Sequence, residues 1–325
     1  MVAGVFQPGG RLALISISNL TKKFDSVIAL DDVSFSVPGG SVLGLLGHNG
    51  AGKTTVVNIL STLLKPTSGT ATIAGLDVTT EGDKVRRRIG LTGQFATVDD
   101  TISGRDNLVL IARLLGASRR QAAQRADDLL TVFDLTDAAK RPVRGYSGGM
   151  RRRLDLAACL VGGPEVIFLD EPTTGLDPGA RLDVWSLVES LVAQGSTVLL
   201  TTQYLEEADR LADLITVLSK GKVVASGTAA ELKREIGQLS VNTVLAPGSD
   251  TGAALAALRA AGLTPVTAEQ PDTIHTRVLS SADITVVVRA LDSVGVRVTD
   301  VAFSEPSLDD VYLSLTPGRG ATTAA

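Results

Sequence analysis

Apolar positions in the first part of the chain fall at two-residue spacing or in short unbroken runs. They predict strands at Leu14-Ile17, Val33-Val37, Val42-Leu46 and Thr70-Ile73. One helix interrupts them, since Thr55-Val56-Val57-Asn58-Ile59-Leu60 has helical apolar spacing. From about Ile102 to Asp137 the period changes. Asn107-Leu115 and Arg119-Phe133 carry apolar residues three and four apart with Arg, Gln and Asp between them, as amphipathic helices do. Further on, the runs Val166-Leu169, Thr197-Thr201 and Ile215-Leu218 alternate with helices such as Arg181-Ala193, which Gly195 ends. Buried runs alternating with helices imply a parallel sheet and an α/β core.

Past about Ile236 the composition shifts to Ala, Val and Thr with few charges. Strands near Ser240-Ala246, Leu263-Ala268, Thr273-Leu279 and Arg297-Phe303, with helices near Thr251-Ala261 and Ala282-Val294, suggest a small ferredoxin-like α+β domain. Ser307, with Asp310 three residues later, reads as a capping box that starts a short terminal helix. The expected organisation is a flexible N-terminus at 1–12, a main domain at 13–236 with a helical subdomain at about 97–160, an accessory domain at 237–316, and a disordered tail at 317–325.

Two motifs give the main domain its chemistry. Gly47-His48-Asn49-Gly50-Ala51-Gly52-Lys53-Thr54 fills every position of the G-x-x-x-x-G-K-[ST] phosphate-binding loop, between a predicted strand and a predicted helix. Its glycines let backbone N–H groups wrap phosphates, and the helix N-terminus adds partial positive charge. Lys53 can reach the β- and γ-phosphates of ATP, and the Thr54 hydroxyl can ligate Mg²⁺. The second motif is Asp170-Glu171 at the C-terminal end of an apolar run, where open α/β sheets bind ligands. There Asp170 can hold Mg²⁺ directly or through water, and Glu171, with no neutralising neighbour in sequence, can polarise a water as general base.

Composition narrows the class. The chain has 325 residues, is 44% hydrophobic and 20% charged, and carries a formal net charge of −4. Its one cysteine, Cys159, excludes an internal disulfide framework and reads as a small core residue. His48 and His275 have no Cys or His neighbours, so no zinc-type site is visible. No apolar run approaches the length that spans a bilayer, and the N-terminus lacks a secretory pattern. The basic triplets Arg86-Arg87-Arg88 and Arg151-Arg152-Arg153 are scattered and offset by acids, which argues against a nucleic-acid partner. Solvated helix faces account for most of these arginines, although the second triplet opens the helix after Ser147-Gly148-Gly149.

The order of the phosphate loop, Gln94, Ser147-Gly148-Gly149, Asp170-Glu171, Asp177 and Gln203 resembles the ATP-binding cassette (ABC) ATPases from about Leu14 to Leu232. Within that family Thr92-Gly93-Gln94-Phe95, Tyr146-Ser147-Gly148-Gly149-Met150 and Thr201-Thr202-Gln203-Tyr204-Leu205-Glu206-Glu207 are similar to the nucleotide-binding subunits of daunorubicin-type drug exporters. The resemblance implies a P-loop NTPase fold of the ABC type, with a mixed sheet core, an antiparallel β subdomain and a helical subdomain. It also implies that Phe24 stacks on adenine and that the loop residues through Thr55 surround the phosphates. Gln94 would contact Mg²⁺ or the attacking water and sense a membrane partner. Ser147, Gly148 and Gly149 would face ATP held by a second copy, and Asp177 would sit at the seam. The implied assembly is a homodimer sandwiching ATP, bound to a separate transmembrane permease on the cytoplasmic face of the membrane.

Two positions depart from the commonest family pattern. Gln203 stands where most members have a histidine, and Met150 where the signature usually has Gln. A Gln amide can donate to a phosphate oxygen but cannot gain a proton at working pH. Three readings are compatible with the residues: the ATPase subunit of an exporter, a soluble ABC ATPase acting on ribosomes or DNA, and a module that closes on ATP without turnover. The second lacks the paired cassettes or long coiled coil of the proteins it would resemble.

Overall fold

A computed structural model describes residues 12–92, 98–236, 239–267, 272–304 and 307–315. The expected flexible N-terminus, apart from Leu12, and the expected disordered tail lie outside the described residues, as does Gln94. The chain divides into two compact units, Met1–Thr228 and Ala229–Ala325.

The first unit contains two sheets. Strands β1 (Ala13–Phe24), β2 (Val27–Pro38), β4 (Ser68–Ile73) and β5 (Leu76–Asp77) form an antiparallel sheet in the order β2-β1-β4-β5. β1 and β2 run well beyond their predicted lengths. Asn19 and Asp32 adopt positive φ, and the β1–β2 register shifts between Ile17 and Leu20. Such bulges break the two-residue alternation on which strand prediction depends.

The second sheet contains β3 (Val42–Leu46), β6 (Ile89–Thr92), β7 (Val166–Asp170), β8 (Thr197–Thr202), β9 (Leu214–Ser219) and β10 (Lys222–Gly227), in the order β10-β9-β3-β8-β7-β6. All its pairings are parallel except that of β10 with β9. Every residue of β3, β7 and β8 is buried, as parallel strands covered on both faces should be. The edge strand β10, with alternating half-exposed residues, was not anticipated from the sequence.

Helix α1 (Lys53–Leu60) follows β3, and α2 (Gly82–Arg86) precedes β6. The predicted helical stretch forms α3 (Gly104–Leu114) and α4 (Arg119–Val132), each begun by a serine, Ser103 or Ser118, whose side chain accepts a backbone N–H of the first turn. They pack with α5 (Gly148–Cys159) in a core that includes Leu108, Leu130, Phe133 and Leu154. Helices α6 (Pro178–Ala193) and α7 (Leu205–Leu211) follow β7 and β8. The other sheet face joins the antiparallel sheet in a second core containing Leu20, Leu30, Leu45, Ile59 and Phe168.

The second unit begins with α8 (Ala229–Ile236), which packs on α11 (Leu308–Leu315), so this unit starts at Ala229 where the accessory domain was expected to start at 237. Between them come β11 (Ser240–Leu245), α9 (Thr251–Ala260), β12 (Thr264–Thr267), β13 (Thr273–Arg277), α10 (Asp283–Ser293) and β14 (Val298–Ser304). Their fully antiparallel sheet has the order β12-β13-β11-β14. With the strand-helix-strand-strand-helix-strand succession, this is the ferredoxin-like arrangement expected. The Ser307–Asp310 box is also formed, each backbone N–H donating to the other's side chain at 2.9 and 3.1 Å.

Phe168 is fully buried in the middle of β7. Phe168→Ala is expected to destabilise the first unit by about 3–5 kcal/mol through lost burial and a residual cavity. Denaturant unfolding followed by fluorescence of Trp185, the chain's only tryptophan, checks this for the first unit specifically.

Candidate active site

Three adjacent strands end together. β8 lies between β3 and β7, with Leu46 paired to Thr202 and Asp170 to Thr201. Their C-terminal ends therefore carry the phosphate loop, Asp170-Glu171 and Gln203 side by side.

The loop's shape follows from close packing. Gly52 has φ +112, and a Cβ there would lie 2.7 Å from Leu30 Cδ2 and 2.9 Å from the Ala29 carbonyl. Only glycine meets both demands. Ala51 N–H donates to the His48 carbonyl at 3.0 Å, and Gly221 N–H, from the β9–β10 turn, donates to the Ala51 carbonyl at 3.0 Å. His48 Nδ1 lies 2.7 Å from the Asn49 carbonyl oxygen. Asn49, Gly50 and Thr54 are exposed along the loop, while Thr55 is half-buried. The β1–β2 hairpin pairs Phe24 with Val27, two residues before Ala29, and so runs beside Gly52. Phe24 is 44% exposed and Lys22 Nζ lies 4.9 Å from its ring centroid, leaving an aromatic surface for a ring to stack on.

Lys53 is 5% exposed and donates to the carbonyl of Gly47 at 2.6 Å. Its Nζ lies 3.6 Å from Glu171 Oε1. Burial pushes the ammonium below its usual value, and the charges of Glu171 and Asp170 oppose that shift. Glu171, which has no neutralising neighbour in sequence, thus gains one from a loop more than a hundred residues earlier. As phosphate binds, Lys53 can turn from Glu171 towards phosphate oxygen and release the carboxylate for a water.

Thr201 organises the acidic pair. Its Oγ1 donates to Asp170 Oδ1 at 2.5 Å and accepts from Glu171 N–H at 3.1 Å, while its carbonyl accepts the same N–H at 3.0 Å. Glu171 has φ +48, which costs a non-glycine residue on the order of 1–3 kcal/mol and is held by these contacts. Asp170 is 6% exposed, with Oδ1 engaged by Thr201. Together with the exposed hydroxyl of Thr54 it offers hard oxygen donors of the kind Mg²⁺ takes. Thr201 is a residue that sequence reasoning missed; its only local signal is a hydroxyl at the end of a buried strand.

Ser147 and Asp177 open α5 and α6, their side chains accepting from Met150 N–H at 3.2 Å and Ala180 N–H at 3.0 Å. Gly148 sits exposed beside Ser147, and a Cβ built there meets nothing within 4 Å. Gly149 is half-buried, 3.7 Å from Ala180 by the same measure. Met150 packs against the helical core, and Gln203 is exposed one residue beyond β8.

The Arg151-Arg152-Arg153 triplet is not a solvated face. Arg151 pairs with Asp100 at 2.5 Å, and Arg153 with Asp134 at 3.3 Å. Arg152 donates from Nε to the Pro172 carbonyl at 2.6 Å, tying α5 to the residue after Glu171. Burial lowers its guanidinium pKa against the charges of Asp155, Glu207 and Asp170. Nearby, fully buried Glu207 on α7 accepts from Trp185 Nε1 on α6 at 3.0 Å. These internal ties join the segments bearing Ser147, Glu171, Asp177 and Gln203. Cys159 is inert, its thiol pushed up to about 12 by burial.

Burial raises the Glu207 pKa despite lowering by hydrogen bonds from Thr202, Trp185 and Thr173 and by the charge of Arg181. An acid whose folded pKa exceeds its unfolded value adds stability below the unfolded value and loses it as pH climbs towards the folded one. Glu207→Gln, which cannot ionise, should therefore melt increasingly higher than the parent chain as pH rises above about 4.5. Melting curves across pH check this; a gap that is constant with pH would contradict it.

A family profile described as ABC transporter matches residues 30–174. The daunorubicin resistance ATP-binding protein DrrA3 of Streptomyces coeruleorubidus is 51% identical over 306 residues, spanning 93% of this chain and 95% of the relative. The Nod factor export ATP-binding protein I of Sinorhizobium fredii is 41% identical over 213 residues, spanning 66% of this chain and 62% of that protein. Among solved structures, an ATP-binding subunit of an ABC transporter superposes with TM-score 0.63 at 28% identity, covering 69% of this chain and 93% of that one. A dimeric ATP-binding cassette in a post-hydrolysis state, bound to ADP and Pi, superposes with TM-score 0.60 at 26% identity, covering 66% and 98%. With its phosphate loop and acidic pair converging on one sheet edge, this chain belongs to the ABC transporter family as an ATP-binding, ATP-hydrolysing subunit.

Proposed function

We propose that the chain powers export of a drug-like or lipid-like amphipathic compound through a separate transmembrane permease, which it joins peripherally at the cytoplasmic face of the membrane. The observation that carries this reading is the convergence of Lys53, Asp170 and Glu171 at the ends of β3 and β7, on either side of β8, with Lys53 and Glu171 3.6 Å apart. The names of the relatives, drug-resistance and Nod-factor-export ATP-binding proteins, support export as the work done. Among the described residues no helix is long and apolar enough to cross a membrane, so the reading assigns the translocation path to the partner.

In the proposed mechanism Phe24 stacks on adenine and loop residues Gly47 to Thr55 wrap the phosphates, with Lys53 on the β- and γ-phosphates. Thr54 and Asp170, with Gln94 from sequence resemblance alone, would hold Mg²⁺, which neutralises phosphate charge when bound. Glu171 takes the proton from the attacking water, and Gln203 orients groups around the γ-phosphate by hydrogen bonding. Ser147, Gly148 and Gly149 serve a second copy, with Asp177 at the seam. The open space around Gly148 supports this, because its own chain does not require glycine there. ATP binding closes such a homodimer and hydrolysis reopens it.

Phosphate-release assays on the purified chain test the division of labour. Glu171→Gln should lower turnover by at least about 100-fold while ATP still binds, since a positioned base contributes that much or more. Gln203→Ala should retain part of the activity, and equal loss in both variants would refute the assignment. Gly148→Asp should leave ATP binding nearly intact yet stop hydrolysis; normal turnover in that variant would sink the shared-site mechanism.

A further inference from the structure

The second unit contains a cavity of about 760 Å³, a volume in the range of small-molecule sites. It opens where the end of α8, the α9–β12 turn and the β13–α10 connection meet. Its apolar lining includes Leu239, Leu263, Leu279 and Val286. Two of these are costly to leave in water: Leu279 is 93% exposed and Val286 40%. Arg234, in the last turn of α8, and Arg277, the last residue of β13, also line the cavity. Neither forms an ion pair with a described residue, whereas most arginines lining the first unit's helices are tied to a carboxylate or a carbonyl.

The charge of the lining selects the ligand. Asp283 also lines the cavity, but its Oδ2 already accepts N–H groups from Leu279 at 2.8 Å and Ser280 at 3.0 Å. Two guanidinium groups against one carboxylate leave a single net positive charge beside an apolar surface. That combination favours one negative charge on an apolar body, with the planar guanidinium fork matched to a carboxylate.

We propose that the Arg234–Arg277 cavity of the second unit is a binding site for a small amphipathic monocarboxylate. Both halves of the ligand contribute: the carboxylate meets the arginines, and the chain covers Leu279 and Val286. The site lies wholly within one unit and does not depend on the nucleotide chemistry proposed above.

Calorimetric titration of the full chain with decanoate tests it, with acetate supplying the charge without the chain and decyltrimethylammonium the chain with opposite charge. Decanoate should bind at least about tenfold more tightly than either. Arg277→Gln should weaken it by about tenfold, the order expected for losing one charge-assisted contact. Val286→Glu provides a second variant that adds a repelling charge at the cavity wall, and its melting curve checks folding. The proposal is overturned if decanoate does not bind, if it binds equally to the Arg234→Gln, Arg277→Gln double variant, or if decyltrimethylammonium binds as well. It is also overturned if vesicles containing phosphatidylglycerol bind through these arginines while decanoate does not, since the face would then be a membrane contact.

Discussion

The parallel, in-register burial of β3, β8 and β7 is the constraint on which the active site depends. A parallel sheet aligns strand ends, and covering both faces makes a register slip expensive. Because Leu46 is opposite Thr202 and Asp170 opposite Thr201, three loops must emerge at one edge. Lys53, Thr54, Asp170, Glu171 and Gln203 all sit at those strand ends, on the loops there or in the first turn of the helix that follows. Phe168, Leu199 and Leu45 keep the strands in place from one side, and Ile167, Leu169 and Leu200 from the other.

Around that edge, buried charge is managed by pairing across distant segments. Lys53 rests against its own loop's carbonyls and Glu171, and Thr201 satisfies Asp170 while holding Glu171 in a left-handed conformation. Arg152 ties α5 to Pro172, while Glu207 and Trp185 tie α7 to α6. A buried charge without such partners would be strongly destabilising, so each tie both stabilises the fold and restricts where the adjoining loop can sit. The two departures from the common family pattern lie at the margins of this network. Gln203 is exposed beyond β8, and Met150 has turned into the helical core.

Much of the architecture was legible in the sequence because its signals are local. Unbroken apolar runs marked β3, β7, β8 and β9, and helical spacing marked α3 and α4, with boundaries displaced by a few residues. The phosphate loop was readable because glycine, lysine and threonine occupy consecutive positions of one turn. Strand lengths in β1 and β2 were not readable. Bulges at Asn19 and Asp32 place polar residues inside strands and interrupt the period, although hydrogen bonds such as Asn19 Nδ2 to Asp32 Oδ1 at 2.7 Å compensate them. The edge strand β10 also escaped, since an edge strand with one partner carries a weak apolar signal.

The sequence by itself determined the elements, their order, the phosphate loop and the acidic pair, because spacing along the chain encodes them. Only the tertiary structure decided that Glu171 faces Lys53, that Thr201 serves Asp170, that Arg152 is an internal tie, and that Arg234 and Arg277 share a cavity with exposed leucine and valine. These pairings join residues far apart in the chain. They exist because strand register and helix packing bring the side chains together, and no local pattern of apolar and polar residues specifies which distant partner will arrive.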